Sequence, residues 1–425
     1  MRHFSQLAFL VLILVGTFFF LAHCEVWCPF GGVESIYAYF AEGSAPCSLG
    51  VSNFFILGGV LGATLLFRRV FCSFACPIGT LSEWTGKLGK RLRLPQWNPG
   101  PKTDAVLGLL KYVVLVTIIY LTILTAEVIF RAACPAYALI SRHGEDITFW
   151  SYTVGGSILV ASLFISLPFC RWFCPLASVL NPFSRFAPVR VTHDPEGTCT
   201  SCKACEKVCP MAIPVATSPR VTQARCLNCT QCVDACEKRG QKMLRVQFLG
   251  LNFSSKAKLS QCLLLLGLLT ALGTAVVLAT FNPLPSTVIV RTETKKVNGK
   301  DVEVPIPPPE KVAVLEVDLE GLVCRGTAQK VWGFFLTRDD DYAIDGYLRF
   351  EAWSHPTLGR GKFYYDPKKT NADAIKQALT QPYFNATEEV ITMDVIESPV
   401  TIPGYDPILD APFPDDLDLG DLDGL

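Results

Sequence analysis

Long apolar runs alternate with polar, loop-like stretches along the first two thirds of this chain. Crossing a bilayer core of about 30 Å takes roughly 17–25 helical residues, and five of the runs reach or approach that length. Helices buried in a large soluble core are the alternative, but five such runs in one chain argue against it. The pattern therefore predicts five transmembrane helices, over residues 4–22, 51–67, 105–126, 149–169 and 259–281.

Lysine and arginine are distributed unevenly around these runs. Seven of them lie between the second and third runs, whereas the stretch between the first and second has none. Since these residues collect on the cytoplasmic side, the amino terminus and residues 189–247 are predicted there, with everything after residue 281 in the periplasm. We therefore expect a multi-pass protein of a bacterial inner (cytoplasmic) membrane. A cleaved signal sequence is an alternative for the first run, because Arg2 precedes a short apolar core.

Eight of the 18 cysteines form two runs with the same C-x2-C-x2-C-x3-C spacing. A [4Fe–4S] cluster needs four converging thiolates, and in this motif the fourth comes from the other run. The spacing predicts one cluster held by Cys199, Cys202, Cys205 and Cys236, and a second held by Cys226, Cys229, Cys232 and Cys209. Zinc sites are the alternative, but they usually show separated C-x2-C pairs. The motif resembles that of bacterial two-cluster ferredoxins, although Glu237 stands where the second run should have proline.

The membrane region has the pattern of two repeated halves, each with an outer Cys-Pro and an inner Cys-x3-Cys-Pro. Such halves often pack around a shared axis with a functional site between them. Proline favours the first turn of a helix, so the preceding cysteines are expected at helix N-termini, where the dipole stabilises negative charge. A further cluster is predicted at the inner set, Cys72, Cys76, Cys170 and Cys174, with packing of free thiols as the alternative.

The outer set consists of Cys24, Cys28, Cys47 and Cys134. In an oxidising compartment these cysteines would form either disulfides or a cluster, and the sequence leaves both open. Haem is not expected, because none of the five histidines lies in the middle of a run. Flavin is not expected either. A quinone is a candidate for bridging the membrane, since a 17-residue helix rises roughly 25 Å.

Composition adds limits and a domain plan. Hydrophobic residues make up 50% of the chain and charged residues 18%, with a formal net charge of zero, so nucleic acid is not expected as a partner. The plan is a four-span membrane domain, a cytoplasmic two-cluster module, a fifth span, a hairpin with a Pro-rich linker, a periplasmic α+β domain and an acidic disordered tail. Their predicted ranges are 1–188, 189–247, 248–282, 283–310, 311–400 and 401–425.

The α+β domain is predicted as strand, helix, strand, strand, helix, strand. The strands are expected over 312–317, 346–353, 362–365 and 390–395, and the helices over 327–336 and 371–379; a hairpin over 288–304 with an Asn298-Gly299 turn precedes them. This order resembles the ferredoxin-like sandwich of heavy-metal-associated domains. The metal loop of that family is not matched, because Cys324 is alone and Thr327 replaces the second thiol. A lone soft ligand rarely holds copper, so a scaffold without metal is expected.

Inner Cys-x3-Cys-Pro motifs followed by a two-cluster module resemble one family of membrane-bound polyferredoxins. It includes the membrane subunit of the quinol dehydrogenase of periplasmic nitrate reductase, the nitrous-oxide reductase regulator and the cytochrome-oxidase assembly polyferredoxin. The resemblance covers about residues 1–245 and implies electron transfer between the cytoplasmic or quinol side and a trans-side acceptor, as a subunit with other redox proteins. A copper reductase or assembly factor, and a redox-sensing regulator, are the alternatives.

Overall fold

A computed structural model describes the chain except for several short stretches and the carboxyl-terminal tail. The residues left out are 20–27, 43–51, 126–129, 131–132, 141–148, 195–198, 200–201, 242, 250, 255, 282–283, 298–299, 308, 310, 323–324, 337–345, 355–357, 381–382, 385–389, 392–394, 398–400 and 404–425. The backbone divides into two compact units. The first comprises Met1–Ile36 and Ser52–Asn282, and the second comprises Tyr37–Val51 and Pro283–Leu425. The predicted Asn298-Gly299 turn and the acidic tail lie outside the described residues.

Helices dominate the first unit. In chain order the helices of the described chain are α1 Arg2–Phe19, α2 Pro29–Glu42, α3 Ser52–Phe67, α4 Val70–Phe74, α5 Pro77–Arg91, α6 Pro101–Leu107, α7 Leu110–Thr125, α8 Pro135–Ile140, α9 Phe149–Phe164, α10 Pro168–Trp172, α11 Pro175–Phe186, α12 Ala204–Lys207, α13 Gln231–Glu237, α14 Ala257–Thr280, α15 Arg325–Leu336 and α16 Ala372–Thr380. The last two belong to the second unit.

Among the described residues, three helical segments are long and apolar enough to cross a membrane: Arg2–Phe19, Pro101–Thr125 and Ala257–Ala279. They coincide with the first, third and fifth predicted spans. The second and fourth predicted spans form the shorter apolar helices α3 and α9, of 16 residues each. Helix α9, which corresponds to the fourth predicted span, ends at Phe164 rather than at residue 169. A proline at 168 disfavours helical backbone in the residue before it.

Both of these shorter helices end in the same local structure. Arg68 and Leu167 adopt left-handed backbone, with φ of 66° and 49°, which breaks the helix before the short helices α4 and α10. Cys76 and Cys174 then form the N-caps of α5 and α11, each with proline in the first turn. The prediction that these two cysteines stand at helix N-termini is confirmed. Cys72 and Cys170 lie within α4 and α10.

The cysteine-rich segment is enclosed by a small antiparallel sheet. Its strands are β1 Val189–His193, β2 Leu244–Phe248 and β3 Leu251–Ser254, in the order β1-β2-β3. Strand β1 pairs with β2 from Val189 opposite Phe248 to His193 opposite Leu244, so the two ends of the segment are held together. Its core is continuous with that of the membrane helices, since Val191 and Val246 belong to the same buried cluster as Phe74 and Leu264.

The second unit is built on an antiparallel sheet. Its strands are β4 Thr287–Val290, β5 Thr292–Val297, β6 Lys300–Pro305, β7 Ala313–Glu320, β8 Tyr347–Trp353, β9 Leu358–Tyr365, β10 Tyr383–Phe384, β11 Val390–Ile391, β12 Val395–Glu397 and β13 Thr401–Pro403. The main sheet has the order β12-β7-β9-β8-β4, with β13 also paired to β7. Helices α15 and α16 pack on one face of it, through Val331, Trp332, Ile375 and Leu379.

Two strand predictions for this unit are corrected. The predicted hairpin over 288–304 is limited to β5 and β6, whereas β4 pairs with β8 and belongs to the main sheet. The predicted last strand over 390–395 is two strands: β11 pairs with β10, and β12 pairs with β7. Both errors have one cause. Strand partners are chosen by long-range packing, and the alternation of apolar and polar residues along the sequence does not predict which strands will pair.

Gly89 lies where helix α5 crosses the end of α9, and a Cβ there would collide with the carbonyl oxygen of Leu163. We expect Gly89→Ala to force the helices apart and destabilise the first unit by about 1–3 kcal/mol, the usual cost of overpacking. The matched control is Gly156→Ala in α9, where a Cβ meets nothing within 4 Å. Thermal unfolding in detergent measures both, and equal midpoints for the two variants would contradict this crossing.

Candidate iron–sulfur sites

The second cysteine run surrounds an apolar cavity. Its lining contains Cys226, Cys229 and Cys232 of that run together with Cys209 of the first, and otherwise mainly apolar side chains such as Ile213. The backbone N–H of Ile213 donates to the Cys209 thiol at 3.4 Å, and that of Gln231 donates to the Cys229 thiol. Backbone donors of this kind tune an iron–sulfur cluster.

The first run surrounds a second site. Cys199, Cys202, Cys205 and Cys236 line one cavity together with Lys203, Met243 and Leu244. Cys199 is exposed, whereas Cys236 is buried. Each cavity thus collects three cysteines of one run and the fourth of the other, which is the grouping that the spacing predicts. The assignment of these thiols as cluster ligands stays a prediction.

Left-handed backbone shapes the loops around both cavities. Lys203, Asn228 and Thr230 have φ between 51° and 57°, and they precede or flank the short helices α12 and α13. Backbone that alternates between right-handed and left-handed conformations turns successive N–H groups toward one side, which makes a concave anion-binding loop. The conformation costs energy in non-glycine residues and is retained where the surrounding structure demands it.

The inner set is brought together at the ends of α4 and α10. Cys72 is an electrostatic neighbour of each of Cys76, Cys170 and Cys174, and Cys170 also has Cys76 and Cys174 as neighbours. Burial raises the pKa of the Cys76 thiol to about 12 and that of Cys174 to about 11. The free thiols of Cys76 and Cys174 therefore stay protonated at neutral pH, and a bound metal would deprotonate them.

The donor set fits a cluster better than a single metal ion. Within the described residues, no three Cys, His, Asp or Glu side chains are arranged to share one metal ion. A cubane cluster places its iron atoms at the corners of a larger body, so its thiolates stand farther apart than the ligands of one ion. Three groups of four thiols suit [4Fe–4S] clusters that are ligated entirely by cysteine.

The outer set is described only in part. Cys28 and Cys134 directly precede α2 and α8 and are partly buried, whereas Cys24 and Cys47 lie outside the described residues. The rings of Phe30 and Phe130 meet edge to face at 5.0 Å, which brings the start of α2 near the chain that leads into α8. The choice between disulfides and a cluster stays open. Cys324, the weak metal candidate of the second unit, also lies outside the described residues.

Sequence reasoning treats Arg68 and Arg69 only as charges that orient the spans. In the structure both are fully buried. Arg68 donates to the carbonyl oxygens of Val221 at 2.7 Å, Thr222 at 3.1 Å and Gln223 at 2.7 Å, immediately before the second cysteine run. It therefore holds that loop against the end of α3. The one sequence signal for a structural role of these arginines is their position, directly before the first inner Cys-x3-Cys-Pro motif.

One buried carboxylate, Asp104 in α6, joins the inner set to the second cavity. It accepts hydrogen bonds from Arg171 Nη2 at 2.5 Å and from Trp172 Nε1 at 2.9 Å, and it also pairs with Arg225. Arg171 follows Cys170 of the inner set, and Arg225 precedes Cys226 of the second cavity. No sequence pattern singles out Asp104, because its partners are distant in the chain.

A second carboxylate, Glu83, lies in α5, the helix whose N-cap is Cys76. It pairs with Arg2 and accepts from Gln231 Nε2 at 3.1 Å, and Gln231 lies between Cys229 and Cys232. Burial alone raises the pKa of Glu83, but hydrogen bonds and charge from Arg2 and Lys87 outweigh it and lower the pKa to about 2. Asp104 and Glu83 thus fasten the second cysteine loop to the inner set from two sides.

Asp104→Asn removes the charge that the buried guanidinium group of Arg171 and the partly buried one of Arg225 share. We expect a loss of about 3–5 kcal/mol, the usual cost of breaking a buried ion pair, and faster hydrogen exchange in the loop over 221–232. The control is Asp234→Asn, whose partner Lys238 is exposed, so its effect should stay below about 1 kcal/mol. Similar exchange rates in the two variants would rule out Asp104 as the fastening group.

The lowered pKa of Glu83 predicts a pH dependence. The group has an ordinary pKa of 4.5 and a folded pKa of about 2, so its stabilisation is present above pH 4.5 and is lost as pH falls through 2. The shift corresponds to about 3 kcal/mol. Wild type should therefore exceed Glu83→Gln in unfolding free energy at pH 7, and the difference should shrink between about pH 5 and pH 2. The exposed Asp373→Asn serves as the control, and a pH-independent difference for Glu83→Gln would contradict the ion pair.

Family models match both parts of the first unit. A 4Fe-4S dicluster domain matches residues 185–254, and a 4Fe-4S binding domain matches twice, over residues 49–95 and 147–191. The first of these covers both cysteine runs, so the chain is an iron–sulfur protein of the [4Fe–4S] type. Each copy of the second contains one inner Cys-x3-Cys-Pro motif. No solved structure matches.

Several curated proteins are similar to the chain. It is 32% identical over 226 residues to the putative electron transport protein YccM of Escherichia coli (strain K12), covering 50% of this chain and 60% of that protein. It is 32% identical over 220 residues to the uncharacterized protein MJ0750 of Methanocaldococcus jannaschii, covering 48% of this chain and 88% of that protein. The ferredoxin-type protein NapH of Escherichia coli (strain K12) is 26% identical over 211 residues, 47% of this chain and 69% of NapH.

Proposed function

Since this chain belongs to the family of ferredoxin-type polyferredoxins, we propose that it is a membrane-bound subunit that relays electrons within a larger oxidoreductase complex. Iron–sulfur clusters supply one-electron transfer when they are bound. The observation that carries the proposal is the placement of three groups of four thiols next to one another. The thiols of the second cavity lie in the middle, and Asp104 and Glu83 fasten their loop to the inner set.

The order of the three groups supports a relay that runs between the first cavity and the inner set through the second cavity. Cys199 of the first cavity is exposed, whereas Cys226 and Cys229 of the second cavity are buried against the membrane helices. The first cavity is therefore the side on which a redox partner would dock, and the second is the side that exchanges electrons with the inner set. The two cavities are neighbours, since Cys205 and Cys232 are within electrostatic range of each other.

We assign the inner set, Cys72, Cys76, Cys170 and Cys174, to a third [4Fe–4S] cluster. Support comes from the double match of the 4Fe-4S binding domain, because each copy supplies two cysteines and only the pair supplies four. The common structure of a helix break, a short helix and a Cys-Pro N-cap supports the same assignment. This cluster would lie between the two halves, where such repeats place functional sites.

The orientation of the relay is part of the proposal. The distribution of lysine and arginine supports a cytoplasmic two-cluster module and a periplasmic second unit. A quinone or a cofactor of a partner subunit would bridge the remaining width of the membrane. The names of the relatives point to different systems, among them a methylamine utilization ferredoxin-type protein and the regulatory protein NosR, so the terminal acceptor is not chosen by similarity.

Iron and acid-labile sulfide counts test the third cluster. Anaerobically purified wild type should contain about twelve irons, and Cys174→Ala about eight, because a cluster that loses a ligand is lost or degraded. Cys262→Ser is the matched control, since this thiol is exposed on α14 and belongs to no group of four. About eight irons in wild type would leave the two-cluster module alone and refute the third cluster, whereas about sixteen would add one at the outer cysteines.

A further inference from the structure

Arg69 is a buried cation that no carboxylate pairs with in the described part of the chain. Its side chain has no solvent exposure, and its Nε has no hydrogen-bond partner. Its electrostatic neighbours are Cys72, Cys174 and Cys170, and it donates a side-chain hydrogen bond to Cys72. Nη1 lies 3.4 Å from Asn181 Oδ1. The guanidinium group therefore lies among the inner thiols.

A charge buried in this way requires a compensating anion. Removing an isolated ion from water costs several kcal/mol, and buried cations are normally paired. No carboxylate in the described part of the chain supplies that anion, and the groups nearest the Arg69 guanidinium are the inner cysteines. Four thiolates that hold an iron–sulfur cluster carry net negative charge and would supply the missing partner. The position of Arg69 is thus explained by an anionic group at the inner set.

Neighbouring residues fix this cation in place and add a second one. Asn181 accepts from Arg69 and donates its own Nδ2 to the Tyr112 hydroxyl at 3.0 Å. Lys111, buried in a segment apolar enough to cross a membrane, has Arg69 and Cys174 among its electrostatic neighbours. A buried cation in such a segment normally marks a functional site. Both cations thus have Cys174 of the inner set as an electrostatic neighbour. Asp104 is also a neighbour of Lys111, but it pairs with Arg171 and Arg225.

We propose that Arg69, oriented by Asn181 and supported by Lys111, is the counter-charge that sets the reduction potential of the group held by the inner cysteines. The inference rests on the proposed third cluster. Reduction adds one electron, from dithionite in a titration or from the neighbouring module in the relay, and no bond forms or breaks. The added negative charge is stabilised by the fixed cations, so the site is easier to reduce than it would be without them.

The test is a potentiometric titration of the complete protein in detergent, followed by electron paramagnetic resonance. Arg69→Gln removes the charge and should shift the reduction equilibrium of the inner signal at least about tenfold toward the oxidised form, or about 59 mV for one electron. Arg69→Lys keeps the charge and should remain within about threefold of wild type. The signals of the two-cluster module are internal controls and should not move, because Arg69 has no cysteine of that module among its neighbours.

Lys111→Met provides a second variant that leaves Arg69 and its hydrogen bonds in place. It should shift the inner signal in the same direction by a smaller factor. If Arg69→Gln loses about four irons while Arg69→Lys keeps them, the requirement for the charge is also supported. About twelve irons with an unshifted inner signal in both charge-removing variants would overturn this inference alone. About eight irons and no third signal in wild type would overturn it together with the proposed third cluster.

Discussion

The first unit depends on pairing buried charges between the membrane helices and the cysteine loops. Asp104 forms ion pairs with Arg171 and with Arg225. Glu83 forms an ion pair with Arg2 and accepts a hydrogen bond from Gln231. A charge that is buried without a partner is costly, so none of these groups can be moved alone. This constraint fixes the second cysteine loop at one place on the membrane helices, and the distance between the two cysteine sites follows from it.

The inner site arises from a repeated break in an apolar helix. After Arg68 and Leu167 leave the helical conformation, a short helix carries one cysteine and a Cys-Pro N-cap presents the next. Proline suits the first turn because its missing N–H is not needed there. The same break turns Arg68 toward the carbonyls before the second cysteine run and leaves Arg69 with the thiols. The single break after α3 therefore positions two cysteines, Cys72 and Cys76, and two cations, Arg68 and Arg69.

The second unit shows how far alternation along a sequence can be trusted. Strands β7, β8 and β9 and helices α15 and α16 lie where their patterns predict them, within a few residues at each end. Strand β4 is wrongly placed in the predicted hairpin, and β11 and β12 are wrongly predicted as one strand, because their partners are chosen by the sheet. Their own four or fewer residues are too short for a periodic signal.

The chemistry of this protein can be inferred from local patterns alone. The apolar runs, the two cysteine runs and the paired Cys-x3-Cys-Pro motifs are all local, and spacing decides what thiolates can hold. The prolines after Cys76 and Cys174 likewise place both cysteines at helix starts. The position of Arg69 among the inner thiols, and the joining of two sites by Asp104 and Glu83, became visible only in the folded chain. Those contacts bring together residues distant in sequence, and the burial that makes their charges matter is a property of packing rather than of sequence.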